Sequence, residues 1–311
     1  MGPRWPALFH CYSRSDSSYL VKCVDQYLNP SFVQIQTTPL ILSFGVADPV
    51  GAAGIQADLA TYAAFGCHGL SVLTGMLIGD TARVEDFDEI DADSVVDQAR
   101  VLLEDMPVAA FKVGALTSIE QASAIAEVIS DYPDIPLILD PFLSSLPDSG
   151  LLDDDMLAAI RQILAPQATL MLLSQVELAR MAETWREGGG DMLAADAAEL
   201  TGMGCLHVLV TGTAGERGVA SNSDAATISN TLFDAEGVVE TFSQPHLPGT
   251  FIGAGSTLSA AIAALLAQGA TPLDAVRAAQ EFTHGALAHA QRFGMGKLVP
   301  NKLYRAAPIK A

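Results

Sequence analysis

From Leu40 onward the chain alternates short apolar runs with longer segments in which apolar residues recur every three or four positions. That alternation limits the fold more than any other feature, because such runs bury one another most simply as βαβ units around a mostly parallel sheet. The strand candidates are LILSFGV from 40, LSVLTGML from 70, AAFKVG from 109, PLILD from 136, TLMLL from 169 and LHVLVTG from 206. Helical spacing marks the segments that begin at 54, 91 and 118, and the one at 153 opens on three acids, as the positive end of a helix dipole favours. Residues 217–245 read as antiparallel strands and turns, and two long helices, 255–268 and 271–292, close the chain. With no internal repeat, the expectation is one α/β domain over 39–311, with three layers (α/β/α) and a mostly parallel central sheet. Residues 1–38 show no sustained period and lack the apolar core and cleavage site of a secretory signal, so they are expected to form a poorly ordered N-terminal extension.

Charge narrows the partners. With 36 acidic residues against 16 basic ones the formal charge is −20, and a polyanion would be repelled from most of the surface. Nucleic acid is therefore not an expected partner. A small anionic substrate still fits, since a few backbone amides and a divalent cation can invert the field locally. No apolar run reaches the roughly 18 residues of a membrane span, so no membrane partner is expected. Cys11, Cys23, Cys67 and Cys205 are scattered with no C-x-x-C pair, which suits a reducing, cytoplasmic setting and small buried or loop roles.

In open α/β sheets ligands collect beyond the carboxyl ends of the strands, and four loops there carry candidate chemistry. The first, GVADPVGAAGIQAD over 45–58, is neither a dinucleotide fingerprint nor a P-loop; its small residues allow a ligand near the backbone, with Asp58 projecting from the helix behind. A turn with a solvated acid is the equal alternative. The second ends a very apolar strand at Asp140, either as a carboxylate awaiting a cation or as a turn residue before Pro141. The third places Glu177 just after another strand, where it and Asp140 could hold Mg²⁺ directly or through water if the strands are neighbours; alone it would be a solvated glutamate. The fourth, GAGS over 253–256, leads into an apolar helix, so that successive amides and the helix dipole favour a phosphate; a plain glycine turn is the alternative.

Together these loops resemble the hydroxymethylpyrimidine/phosphomethylpyrimidine kinases of thiamine synthesis, within the ribokinase superfamily. The resemblance runs from about Leu40 to Tyr304. It rests on DPVGAAGIQADLATYAAFGCHGLSVLTGM from 48, FKVGAL at 111, ILDPFL at 138, GAGSTLSAAIAA at 253 and GMGKLVPNKLY at 294. It implies a ribokinase-like fold, ATP with Mg²⁺, a pyrimidine-like alcohol as acceptor and a homodimer. It places the nucleotide near Thr211, Gly212 and the 253–256 loop, and the metal near Asp140 and Glu177. The acceptor falls among Val46, Ala53, Asp58, Gly79, Ala115 and Phe142, and the catalytic turn is Gly253, Ala254, Gly255 and Ser256.

Several of these positions depart from the family pattern. The cysteine or aspartate expected as base is Ser256, a hydroxyl that accepts a proton poorly at neutral pH. Ser174 stands for an asparagine, Thr211 for a lysine, Val46 for a glycine, Gly79 for a glutamine and Ala115 for a methionine. The resemblance thus implies a kinase with weak activity or an altered acceptor, in which Asp58 or Asp80 takes the proton or substrate alignment alone suffices; the alternative is a relative that binds a ligand or a partner protein without turnover, as a sensor or regulatory subunit.

Overall fold

The computed structural model describes residues 38–141, 154–182, 192–213 and 227–306. The expected extension lies outside these residues except for Thr38. Nine strands form one sheet: β1 (Leu40–Ala47), β2 (His68–Gly79), β3 (Val84–Glu89), β4 (Ala110–Val113), β5 (Leu137–Leu139), β6 (Leu170–Ser174), β7 (Val208–Thr213), β8 (Thr227–Asp234) and β9 (Gly237–Pro245). Their order is β3-β2-β1-β4-β5-β6-β7-β8-β9. Neighbours from β2 through β7 run parallel, while β3 at one edge and β8 and β9 at the other pair antiparallel.

Helices cover both faces. Alternation along each strand divides its side chains between two cores. Leu42, Phe44, Phe111, Val113, Leu137 and Leu139 pack with α2 (Ala92–Asp105), α3 (Ile119–Ser130), α4 (Asp154–Ala159), α5 (Gln175–Met181) and α6 (Leu193–Gly202). Ile41, Ala110, Ile138 and Leu209 point the other way, onto α1 (Gly54–Ala64), α7 (Ala254–Ala267) and α8 (Pro272–Ala288). The three-layer α/β/α expectation holds. Because β1 leads through α1 to β2 on one side and pairs with β4 on the other, the strand order reverses there, and a crevice opens at the carboxyl ends of β1 and β4.

The structure adds two elements absent from the sequence expectation, β3 and α6, and trims others. The segment from 153 is α-helical only to Ala159, then widens into a π turn over Ile160–Leu164, and the last helix stops at Ala288 rather than 292. Among the described residues, no helix is long and apolar enough to cross a membrane.

Candidate active site

The glycine turn before α7 is fixed by steric need. Gly253 caps the helix at φ +81°, and a Cβ there would run into the carbonyl of Ala52, so only glycine lets the two loops approach. No side chain caps this helix end, which leaves the amides of Ala254, Gly255 and Ser256 pointing outward with the positive end of the dipole. A Cβ on Gly255 would meet nothing within 4 Å. The facing loop is organised by Asp48, whose Oδ1 accepts from the N–H of Val50 at 2.9 Å and whose Oδ2 accepts from those of Ala52 and Ala53 at 2.9 and 2.8 Å. Behind it, buried Lys302 donates from Nζ to the Ala52 carbonyl at 3.2 Å. Burial pushes that ammonium down to about 8, with Asp48 and Asp58 pulling the other way.

A small hollow at the carboxyl ends of β1 and β4 brings together Val46, Asp58, Lys112, Ala115, Asp140 and Ser256. On α1, Asp58 shares the buried face with Ile55 and Tyr62. Lys112 follows Ala110 by two positions and so faces the same side of the sheet. Both are 1% exposed, and Lys112 Nζ stands 2.9 Å from Asp58 Oδ1, 3.0 Å from Oδ2 and 3.9 Å from Asp140 Oδ2. Only Oδ2 has hydrogen-bonding angles; Oδ1 is left without a hydrogen bond. Burial pushes Asp58 up to about 6, against the pull of Lys112. Asp140 Oδ2 also accepts from Ser259 Oγ at 2.7 Å.

A larger cleft of about 450 Å³ lies on the other side of the α7 terminus, lined by Ser174, Thr211, Gly212, Ala254, Gly255 and Gln280 among others. The two cavities share no residue, yet Gly255 faces one and Ser256 the other, so the helix N-terminus is where they meet.

The remaining sequence candidates fall elsewhere. Ala53 caps α1 and spends its N–H on Asp48. Gly79 closes the β2–β3 hairpin, where a Cβ would meet the Arg83 carbonyl at 2.6 Å, and it lines neither cavity. Asp80 is a turn residue whose Oδ1 accepts from the amides of Ala82 and Arg83 at 2.7 and 3.1 Å, and those bonds hold it below the usual carboxylate range. It is therefore the weaker base candidate beside Asp58. Phe142 lies outside the described residues. Sequence reasoning passed over Lys112, Asp48, Lys302 and Ser259; a lysine inside the apolar run AAFKVG was the available signal for the first.

Asp140 and Glu177 follow neighbouring strands, as the metal expectation requires. Glu177 completes a capping box on α5, its Oε2 accepting from the Ser174 amide at 2.6 Å. Among the described residues, no group of three or more His, Cys, Asp or Glu could hold a metal alone. A two-carboxylate oxygen set instead suits Mg²⁺, which keeps several waters and takes substrate phosphates as its other ligands.

Comparison with known proteins bears on this geometry. A family model described as phosphomethylpyrimidine kinase matches residues 48–301. A hydroxymethylpyrimidine/phosphomethylpyrimidine kinase of Rhizobium meliloti is 32% identical over 266 residues, which is 84% of this chain and 94% of that protein. Its counterpart in Escherichia coli is 30% identical over 256 residues, 82% and 93% of the two chains. The solved structure of an ADP complex of Bacillus subtilis pyridoxal kinase superposes with a TM-score of 0.74 at 24% identity, covering 87% of this chain and all of that one.

Proposed function

The chain belongs to the phosphomethylpyrimidine kinase family, and from that membership we propose that it transfers the γ-phosphoryl group of ATP to the hydroxymethyl oxygen of a pyrimidine alcohol, or of its monophosphate, in thiamine synthesis. The observation that carries this reading is the meeting of two cavities at the uncapped N-terminus of α7. The larger suits a nucleoside triphosphate, and the smaller suits the reacting end of an alcohol. Between them the amides of Ala254, Gly255 and Ser256 receive the transferring group, where preorganised donors lower the barrier without reorganising.

In the transfer, the alcohol oxygen forms a bond to the γ-phosphorus as the bond to the ADP oxygen breaks. The alcohol proton goes to Asp58, whose carboxylate shares the hollow with Ser256. A carboxylate raised to about 6 is a better match for neutral pH than one in the ordinary range. Lys112 offsets part of the negative charge of Asp58 and Asp140 and so leaves less repulsion toward an incoming phosphate. Mg²⁺ would be held by Asp140 and Glu177, and when bound it neutralises charge on the phosphate oxygens. A relative that binds without turnover is not favoured by the kinases this chain resembles. The homodimer implied by the family resemblance is part of the same proposal, and light scattering on the purified protein tests it.

Phosphorus NMR of the protein with Mg-ATP and hydroxymethylpyrimidine tests the chemistry, beside Ser256→Cys and Asp58→Asn. Product from the wild type, reduced by roughly 10²–10⁴-fold in Asp58→Asn, is the expected result. Full activity in Asp58→Asn would remove Asp58 from the mechanism, and no transfer by any of the three would overturn the assignment of this acceptor.

A further inference from the structure

One buried cation stands behind the turn into α7 with no part yet in the transfer. Two lysines are buried among the described residues. Lys112 is matched by Asp58 at 2.9 Å, but Lys302, 5% exposed, has as its one hydrogen bond among those residues the contact from Nζ to the Ala52 carbonyl. No carboxylate among them pairs with it directly, and the charges of Asp48 and Asp58 act on it from farther away. Burying a cation without a paired carboxylate is costly, so a charge kept there calls for an anion nearby.

The backbone fixes where that charge sits. Leu298 donates its N–H to the Thr250 carbonyl at 2.8 Å and accepts from the Ile252 N–H at 3.0 Å, which ties the segment to the stretch just ahead of the turn. Asn301 donates its N–H to the Ala286 carbonyl of α8 at 3.0 Å. Held at both points, the segment carries Lys302 to the same Ala52 carbonyl that bars a Cβ from Gly253. That Cβ would lie 1.8 Å from the carbonyl oxygen, and the oxygen is 3.2 Å from Nζ, so Nζ lies within about 7 Å of the Gly253 Cα. At that range a buried ammonium adds its field to that of the amides of Ala254, Gly255 and Ser256, and salt screens it little.

We propose that Lys302 is a positioning residue of the transfer reaction, which fixes the Ala52 carbonyl against the Gly253 turn and supplies the unmatched positive charge that draws the donor's phosphates onto the amides of α7. The inference rests on the kinase reading above, since it concerns the phosphates of that reaction's donor.

The test measures Kd for ADP and for inorganic tripolyphosphate, with Mg²⁺ fixed, and steady-state kinetics with ATP and hydroxymethylpyrimidine, for the wild type, Lys302→Met and Lys302→Arg. Methionine removes both charge and donor, and arginine keeps both. In Lys302→Met both Kd values and the KM for ATP should rise about tenfold while the acceptor KM stays near the wild-type value, and Lys302→Arg should recover most of the loss. The unaltered protein gives a second readout. Burial pushes the Lys302 ammonium down to about 8, so its charge is present below that value and lost as pH rises through it, whereas a neutral amine still donates to Ala52. The charged groups that act on it are Asp48 and Asp58, and Asp58 titrates near 6, below this window. The stretch 250–253 has no titratable side chain; on α8 and just past its end His284 and His289 stand at hydrogen-bond distance from the Pro245 and Gly285 carbonyls, and on its own segment Arg305 donates to Tyr304. The wild-type Kd for ADP should therefore rise several-fold between about pH 7 and about pH 9, and that of Lys302→Met should stay level. Wild-type affinity for ADP and tripolyphosphate in Lys302→Met would overturn the inference and leave the kinase reading standing, as would an equal loss in Lys302→Arg, which would be one of packing. A wild-type ADP affinity that stays level across this pH range would overturn it even where the variants fail to fold, and so would a fall that Lys302→Met shares. A wild type that neither binds ADP nor transfers from ATP would overturn both.

Discussion

Asp58 and Lys112 are buried so completely that neither can be understood without the other. Removing Lys112 takes the cation from buried Asp58, and breaking a buried pair by deleting one partner typically costs about 3–5 kcal/mol. Lys112→Met is therefore expected to lose stability on that order in urea unfolding; a loss below about 1 kcal/mol, the range of exposed pairs, would show that water reaches the pair. The acid partner carries a pH signature. Since the folded value of Asp58 lies above its ordinary one, the folded state holds this proton more tightly, and its contribution to stability is greatest at low pH and is lost as pH rises through about 6. Activity runs the opposite way. As the proton acceptor, Asp58 should give kcat/KM a rising limb centred near 6, absent from the residual rate of Asp58→Asn. Each half of the pair was a visible anomaly in the sequence, an acid on the Ile55–Tyr62 face of a helix and a lysine inside AAFKVG. That they meet was not visible, because 54 positions separate them and only the β1–β4 pairing brings α1 over β4.

At the level of elements, the turn into α7 works because three constraints coincide: a left-handed glycine, a neighbouring loop organised by Asp48, and a helix end with no side-chain cap. Gly253→Ala violates the first two at once, since its Cβ must both adopt φ +81° and displace the Ala52 carbonyl. It is expected to lower the melting temperature and to abolish ADP and tripolyphosphate binding together; retention of wild-type tripolyphosphate affinity would show that the amides of α7 are not the phosphate site. The turn itself was legible in the sequence as a G-x-G entering an apolar helix, although the sequence left a purely structural glycine turn equally open. The central parallel strands β1, β4, β5 and β6 were legible for a similar reason, each being an apolar run buried on both faces. β3 was not. Its sequence VEDFDE is mostly acidic and exposed, as suits an edge strand held by backbone bonds to β2 rather than by burial. The last helix was overextended because apolar and basic residues continue its pattern past Ala288, whereas the chain leaves the helix to form the bridge between Gln291 and Val299. That bridge turns Tyr304 back onto Phe282 and His289, and Gly285 leaves room for its ring.

For the molecule as a whole, the charge of −20 opposes both compactness and the approach of an anionic substrate. Ion pairs at the surface offset little of this. Arg83–Glu85, Arg100–Glu127 and Arg277–Glu240 join partly or fully exposed side chains, and pairs of that kind contribute about 0–1 kcal/mol each. The Asp58–Lys112 pair lies beyond the reach of mobile ions, so it neither relieves the repulsion nor weakens with salt. Screening should then act mainly on the excess of acids. Raising NaCl from ~0.01 to ~0.1 M shortens the Debye length from about 30 to about 10 Å, which falls below the spacing of many like charges on a domain of this size. The melting temperature is expected to rise over that range, and the KM for ATP to stay level or fall, the reverse of the loss of affinity seen when a basic surface binds a polyanion. Calorimetry and initial rates across a salt series, with Mg²⁺ fixed, measure both. A KM that climbs steeply with salt while the melting temperature rises would mean that exposed cations, and not the amides of α7 with the buried lysine behind them, supply most of the attraction for the nucleotide.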